Sequence, residues 1–153
     1  MSKSITQYCF ASSAGGMELR PEVTVLDAGI KVGSLVTVTS KTAVLQATAG
    51  ADLPLVLVAT EWIAAGVEVG DTYAVGDTAL LRQFSAGDVV YLRLKASAGA
   101  VTAGDPIKAS TVGLIDLSNG TTDNGIGYAV EDIADLASEQ LIKVKVARIL
   151  ASA

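Results

Sequence analysis

Short stretches of alternating apolar and polar residues recur along the chain, which is the pattern of strands with one buried face. Residues 23–25 read VTV, and residues 36–39 read VTVT after a turn at Gly33. A period of two residues places successive side chains on opposite faces of a sheet. The last such stretch is LIKVKVARI, residues 141–149, whose inward positions are predicted to be Ile142, Val144 and Val146.

Gly-Asp pairs separate these stretches and predict tight turns. Gly supplies the positive φ that such a turn requires, and Asp can bond the backbone two residues further on. The phrases SAGDVVYLRLKAS and TAGDPIKAS use the same turn to begin a strand. The four pairs are Gly70-Asp71, Gly76-Asp77, Gly87-Asp88 and Gly104-Asp105.

Three further segments give more specific expectations. Residues 79–84 and 89–96 predict a hairpin around SAGD, with Tyr91 and Arg93 on its wet face. Residues 53–66 are apolar on both parities, which predicts a strand covered on both sides, with a short helix from Val58 as the alternative. Residues 131–140 have room for one helical turn.

The fold class predicted from these patterns is all-β. Short strands between turn signals, without a long helical period, indicate a small β-barrel or a β-tulip or sandwich body with at most one or two short helical turns. A chain of 153 residues suits one domain. Residues 1–22 lack the Gly-Asp pattern and are predicted to be an N-terminal arm and flexible joint, followed by a single β-rich body at residues 23–153.

Composition removes several classes of partner. A net charge of -5 argues against a nucleic-acid backbone as partner, because proteins that bind one collect Lys and Arg. No apolar run approaches the ~20 residues of a membrane span, so no membrane partner is predicted. The first ten residues, MSKSITQYCF, do not resemble a signal peptide, which predicts a protein that remains where it is made until it assembles.

The sequence offers little catalytic chemistry. With no His and one Cys, neither a Ser-His-Asp triad nor a common zinc site is available, and we expect no catalytic residue, no metal and no cofactor. Cys9 is interpreted as a small apolar residue, since no His can activate it. Gly-rich phosphate loops of the Walker or dinucleotide type are also absent from the sequence.

One remote enzymatic alternative rests on two phrases. SSAGGMELR (residues 12–20) resembles the first motif of trimeric dUTPases, and VGLIDLSNG (residues 112–120) resembles their third motif. The resemblance would make Asp116 the base that activates water. Glu18 stands where the first motif has Asp, and no Tyr follows Asp116 to stack on uracil. The Pro-Arg-Ser-Gly motif and the C-terminal Gly-rich motif of that family are missing as well.

An ordered series of phrases from Pro21 to Ile149 resembles the capsid decoration, or cement, proteins of tailed bacteriophages. The closest phrase is residues 127–131, which precede a short polar turn and a final Val-rich strand. The series is VGSLVTVTS, AGVEVGDTYAVGD, SAGDVVYLRL, AGAVTAGDPIKAS, GIGYAVED and LIKVKVARI.

The resemblance implies a structural virion protein that is made in the host cytoplasm and has no enzymatic activity. Such a protein is usually a homotrimer that sits at threefold or quasi-threefold positions on the outer surface of the expanded head. Its partners would be the major capsid protein and copies of itself, and its role would be to stabilise the capsid across subunit boundaries. The nearest structural alternative is another β-rich virion component, such as a tail-tube or fibre module.

Six residues are candidates for capsid or subunit contacts. The arm could add a strand to a sheet edge of the shell through Ile5, Tyr8 and Phe10, although its aromatic residues could equally pack on the body of their own chain. Trp62 is the only Trp and fits either a core position or an interface. Tyr91 and Arg93 are candidates because both residue types are enriched at interfaces, while chance exposure on the surface is the alternative.

Overall fold

The computed structural model describes residues 10–12, 22–61 and 66–152. This part of the chain contains strands, turns and irregular segments and no helix, which confirms the all-β prediction. The described strands are β1 (Phe10–Ser12), β2 (Glu22–Val25), β3 (Leu35–Thr39), β4 (Thr42–Leu45), β5 (Val56–Ala59), β6 (Thr78–Phe84), β7 (Val89–Leu94), β8 (Pro106–Ala109), β9 (Ile115–Leu117), β10 (Gly125–Ala129) and β11 (Gln140–Ile149).

Strands β2 to β6 form a closed barrel, the N-terminal barrel, in the order β2-β4-β3-β5-β6. The β2–β4 pair is parallel and all other pairs are antiparallel. Its interior is apolar because one parity of each strand points inward, as the VTV and VTVT alternation predicted. The buried interior residues are Val23, Val25, Ile30, Val36, Ala43, Ala59, Tyr73, Ala79 and Leu81.

Strands β7 to β11 form the C-terminal ring. Its strands follow the order β7-β11-β10-β8-β9, and a parallel pairing between Leu94 and Ile115 joins β9 back to β7. The inward residues predicted for the last strand, Ile142, Val144 and Val146, are all buried. Val146 is the most exposed of the three at 5%. The inward side of this strand is thus confirmed.

The barrel and the ring are two copies of one five-stranded unit. Replacing β2–β6 by β7–β11 in order converts every pairing of the barrel into a pairing of the ring, including the one parallel pair. The register also matches: Leu35 pairs with Val58 in the barrel, and Pro106 pairs with Tyr128 in the ring. Equivalent buried residues, barrel before ring, are Val23 and Leu92, Val25 and Leu94, Ala43 and Ile115, Ala79 and Ile142, and Leu81 and Val144.

The turn that precedes the second strand of each unit, β3 in the barrel and β8 in the ring, is also repeated. In the barrel, the Gly33 N–H donates to the Ala59 carbonyl, and the Ala59 N–H donates to the Ser34 carbonyl. In the ring, Gly104 and Asp105 make the same two bonds with Ala129. Both Gly residues have φ near 90°, at 88° and 96°. One turn geometry therefore fixes the same strand end in both units.

The four Gly-Asp pairs form turns as predicted, with Gly φ values of 98°, 90°, 94° and 96°. The predicted role of Asp was wrong in direction. Each carboxylate accepts a hydrogen bond from the N–H three residues before it, and each Asp N–H donates to the carbonyl of that same residue. The Asp side chain thus closes its own turn from the far end and does not reach forward into the next strand.

Replacing Asp105 by Ala is expected to lower the free energy of unfolding by about 0.5–1.5 kcal/mol, the net value of one hydrogen bond. The bond lost is the 2.8 Å contact from the Thr102 N–H to Asp105 Oδ2. Thermal unfolding should show a decrease in Tm of roughly 2–4 °C per kcal/mol. Asp105→Asn is the matched control, because the amide keeps an acceptor oxygen. An equal loss in the Asn variant would contradict this explanation.

The predicted hairpin of residues 79–84 and 89–96 was wrong. β6 pairs with β5 and β2, whereas β7 pairs with β11, β1 and β9. The reason is the docking of the SAGD turn: the Gly87 N–H donates to the Val146 carbonyl, and the Val146 N–H donates to the Asp88 carbonyl. This turn is held on β11, so the chain passes from the barrel into the ring.

Three further predictions concern residues 131–140, residues 53–66 and the division of the chain into an arm and a body. Residues 131–140 form no helical turn, and Ile133 instead makes an isolated bridge with Val101. Residues 56–59 form a strand, so Val58 and Ala59 belong to a strand and not to the alternative short helix. The division into an arm of residues 1–22 and one body of residues 23–153 stays a prediction, since residues 1–9 and 13–21 lie outside the described residues.

Candidate functional site

The described part of the chain contains no group of three or more His, Cys, Asp or Glu residues that could hold a metal ion. Asp116, the base implied by the dUTPase resemblance, forms a 2.5 Å ion pair with Lys95 and accepts the Leu117 N–H. Within the described ranges, no helix is long and apolar enough to cross a membrane.

Arg93 lies at the centre of the contact between the barrel and the ring. It was predicted to be on a wet face, and this was wrong: the residue is 9% exposed. Its Nε donates to the Val32 carbonyl at 2.7 Å, and its N–H donates to the Gly33 carbonyl at 3.2 Å. The outward face of β7 is covered at this position because the barrel packs against it. A role of Arg93 in contacts between subunits stays a prediction.

Tyr91, two residues earlier on the same face, is half-buried and not fully wet as predicted. The Lys143 ammonium lies 5.7 Å from the centroid of its ring, within the range of a cation–π interaction. Part of the Tyr91 side chain remains accessible, so its predicted role at an interface is untested.

Loop contacts complete the seam between the two units. The Leu35 N–H donates to the Gly113 carbonyl, and the Gly50 N–H donates to the Ala109 carbonyl. Arg148 and Asp52 form an exposed pair, with Arg148 Nε to Asp52 Oδ1 at 2.9 Å. The hydrogen bond from Arg148 lowers the pKa of the Asp52 carboxyl. One cluster of buried apolar residues also contains side chains of both units, so the barrel and the ring pack together through a shared core.

The interior of the barrel contains one buried phenol. Tyr73 is 1% exposed, and its hydroxyl donates to the Thr60 carbonyl at 2.7 Å. Burial raises the pKa of Tyr73 above its ordinary value, because the charged phenolate is poorly solvated there. The hydrogen bond accounts for a polar atom in an otherwise apolar interior, so Tyr73 is a structural residue.

The remaining predicted contact residues are only partly covered by the structure. Ile5, Tyr8 and Trp62 lie outside the described residues. Phe10 belongs to β1, whose backbone pairs with Val90 at the edge of the ring. This pairing places strand β1 of the predicted arm on a sheet edge of its own chain. The proposed contact of the arm with a shell subunit is untested.

Exposed apolar residues were missed by the sequence reasoning. Tyr128 is 42% exposed, although its strand β10 has the apolar composition of a buried segment, and Val130, which directly follows β10, is 44% exposed. On the barrel, Leu26 and Val75 are each 57% exposed. For Tyr128 the signal in the sequence is parity, because its neighbours along the strand, Gly127 and Ala129, are buried. Val75 lies in a turn between two exposed residues, so alternation gives no signal there. Exposed apolar side chains that cluster are typical of protein contacts.

A half-open groove of about 220 Å³ runs along the seam between the two units. Its lining includes the apolar residues Leu53, Pro54, Val56, Phe84, Ile126 and Val146 and the polar residues Gln83, Ser85 and Arg148. The guanidinium of Arg148 is already bonded to Asp52. The side chains of this groove pack the barrel against the ring, so the groove is part of the seam.

A search of the curated proteins found no match to this chain. A model of the XM1 gp53 minor capsid protein family matches residues 9–146. The match spans the barrel, the seam and nearly all of the ring, in agreement with a structural role in a phage virion. The chain belongs to the XM1 gp53 minor capsid protein family.

Proposed function

We propose that this minor capsid protein binds the outer surface of the expanded phage head and stabilises the shell across subunit boundaries. The observation that carries the proposal is the family match over residues 9–146. The order of phrases that resembles decoration proteins, from Pro21 to Ile149, covers most of the same region. The proposed partners are the major capsid protein and two further copies of this chain, without an enzymatic step, a metal or a cofactor.

The architecture suits a role in binding. Two closed five-stranded units leave few free sheet edges, which limits uncontrolled strand pairing. One exception is β1, the terminal strand of its sheet, which has β7 as its one partner among the described strands. A free edge at this place could pair with an extended segment of a shell subunit, and residues Ile5 and Tyr8 precede it directly in the sequence.

The test is decoration of heads in vitro. Purified protein is added to expanded heads that lack it and to unexpanded heads, and bound protein is measured by co-sedimentation and located by electron cryomicroscopy. We expect saturable binding to the outer surface of expanded heads and increased resistance of those heads to heat. Density at the tail, or no binding to expanded heads, would contradict the proposal. Rings or stalks on the tail would support the alternative virion module.

A further inference from the structure

The contact between barrel and ring joins two different faces. Face A of the barrel consists of the turn at residues 31–34 with Leu35 and Val58, all of which except Lys31 are buried. Face B of the ring consists of Arg93 and Leu141, which are paired across β7 and β11. A side chain at Gly33 would collide with Leu141, so the two faces are in close contact. Lys31 and Glu139 add an ion pair at 3.6 Å.

The ring has its own face A, and it is uncovered. The residues equivalent to the turn are 102–105, of which Thr102, Ala103 and Gly104 are exposed. Tyr128 is equivalent to Val58, because both are paired with the first residue of the matching strand. Val58 is 0% exposed, whereas Tyr128 is 42% exposed. The same position of the repeat is thus a contact in one unit and open surface in the other.

The barrel likewise has an uncovered face B. Its residues are Thr24 and Thr78, which pair across β2 and β6 and are equivalent to Arg93 and Leu141 of the ring. Both Thr residues are exposed. Leu26 lies two residues beyond Thr24 on the same side of the chain. The turn that holds Val75 is docked beside it, since the Gly76 N–H donates to the Val25 carbonyl. Two of the most exposed apolar side chains of the barrel therefore border face B.

Within the chain, face A of the barrel is joined to face B of the ring, while the reciprocal contact is not made. A twofold relation between the units would bury both contacts, so the internal contact is head-to-tail. A head-to-tail contact leaves one complementary pair of faces open on each chain. We propose that face A of the ring in one copy binds face B of the barrel in a second copy, which repeats between chains the contact already present within the chain.

The charges and apolar residues around the two open faces support binding of a second copy of this chain. Lys145 pairs with Tyr128 across β10 and β11, is exposed, and forms no ion pair among the described residues. Residues 22–84, which form the barrel, hold seven Asp and Glu against three Lys and Arg. Asp77, next to Thr78, is exposed. An apolar surface with a Lys would thus meet an apolar surface in acidic surroundings.

This contact rests on the self-association proposed above, and its two faces would form the interface between copies. Head-to-tail contacts close into a ring or continue as a filament. In the proposed trimer, three such contacts would close the ring, with barrels and C-terminal rings alternating around the threefold axis.

The test uses the full chain with one substitution on each face. Tyr128→Glu places a negative charge on face A of the ring, and Leu26→Glu does so on face B of the barrel. Both residues are exposed, so far-ultraviolet circular dichroism should be unchanged. We expect each variant to be monomeric in native mass spectrometry at concentrations where the unmodified chain is oligomeric, with self-association weakened by at least about 100-fold. Leu150→Glu, at a 60% exposed residue outside both faces, is the control and should leave the oligomer intact.

Mixing the two variants is the decisive measurement. Each retains one intact face, so an equimolar mixture should form a dimer that grows no further. Variants that keep the oligomer of the unmodified chain, or a mixture that stays monomeric, would overturn the inference, as would an unmodified chain that is monomeric at every concentration tested. Binding to expanded heads, measured on the same proteins, tests the proposed function separately. Loss of head binding without loss of the oligomer would assign these faces to the shell and overturn the self-contact.

Discussion

Replacement of Gly127 by Val is expected to prevent closure of the C-terminal ring and to leave the protein insoluble or unfolded. Gly127 lies in β10 between β8 and β11. A Cβ at this position would fall on the Lys145 carbonyl, a backbone atom of the neighbouring strand, and would lie 2.8 Å from Val144 Cγ1. Because the obstacle is backbone, relief requires separating two paired strands. We expect a loss above about 4 kcal/mol, the range of exceptional single substitutions.

Gly104→Ala is the control for this experiment. Its Cβ would meet no atom within 4 Å, although its φ of 96° is unfavourable for Ala. Backbone strain alone costs about 1–3 kcal/mol, so this variant should remain folded with a lower Tm. The measurements are the soluble fraction after expression, circular dichroism and thermal unfolding. A Gly127→Val protein that is as soluble and stable as Gly104→Ala would contradict the steric argument.

Deletion of residues 1–16 is expected to leave the body folded and to weaken binding to expanded heads by about 100-fold or more. Of the described strands, the deletion removes only β1, which has three residues and, among the described strands, pairs with the first part of β7. Both closed units retain all their strands. If the arm supplies about three main-chain hydrogen bonds to the shell at roughly 0.5–1.5 kcal/mol each, their loss corresponds to about one to three orders of magnitude in affinity, and loss of a buried aromatic side chain of the arm would add to this.

A shorter deletion separates the two roles of the arm. Removing residues 1–9 deletes Ile5 and Tyr8 but keeps β1 on the ring. Equal loss of head binding in both truncations would assign the shell contact to residues 1–9, and loss only in the longer one would assign it to β1. Full affinity in both would contradict the prediction and place the adhesive surface on the body. Unfolding of the longer truncation would show that β1 is needed for the core.

The strands and their inward faces could be predicted from the sequence, because burial of one face is recorded locally as alternation. Ile142 and Val144 follow directly from the pattern and are both 0% exposed. The partner of a strand is not recorded in this way. The SAGD segment has the residues of a hairpin turn, yet it is docked on β11 by bonds to Val146. Alternation sets which face of a strand is buried, and distant contacts decide which strand lies beside it.

Arg93 shows the same limit for the candidate site. Arg93 occupies a polar position of the alternating pattern in its strand, which predicts an exposed side chain. Its guanidinium instead donates to the Val32 carbonyl of the barrel, a contact that no local pattern in the sequence indicates. The internal repeat was missed for a related reason. Its two copies share turns and parity, but equivalent positions carry side chains of different size, as with Ala43 and Ile115. The recurring signal was a Gly turn before a strand, at Gly33 and at Gly104.

The order of the two units along the chain has a consequence for folding during synthesis. All pairings of the barrel lie within residues 22–84, so it can close while the ring is still on the ribosome. Until β7 and β11 emerge, the outer apolar residues Leu35, Val58 and Phe84 have no cover, since they belong to the cluster that spans the seam. During synthesis, the nascent barrel thus exposes an apolar surface on one side. Slower translation of residues 85–149 should prolong this exposure and increase aggregation of the newly made protein.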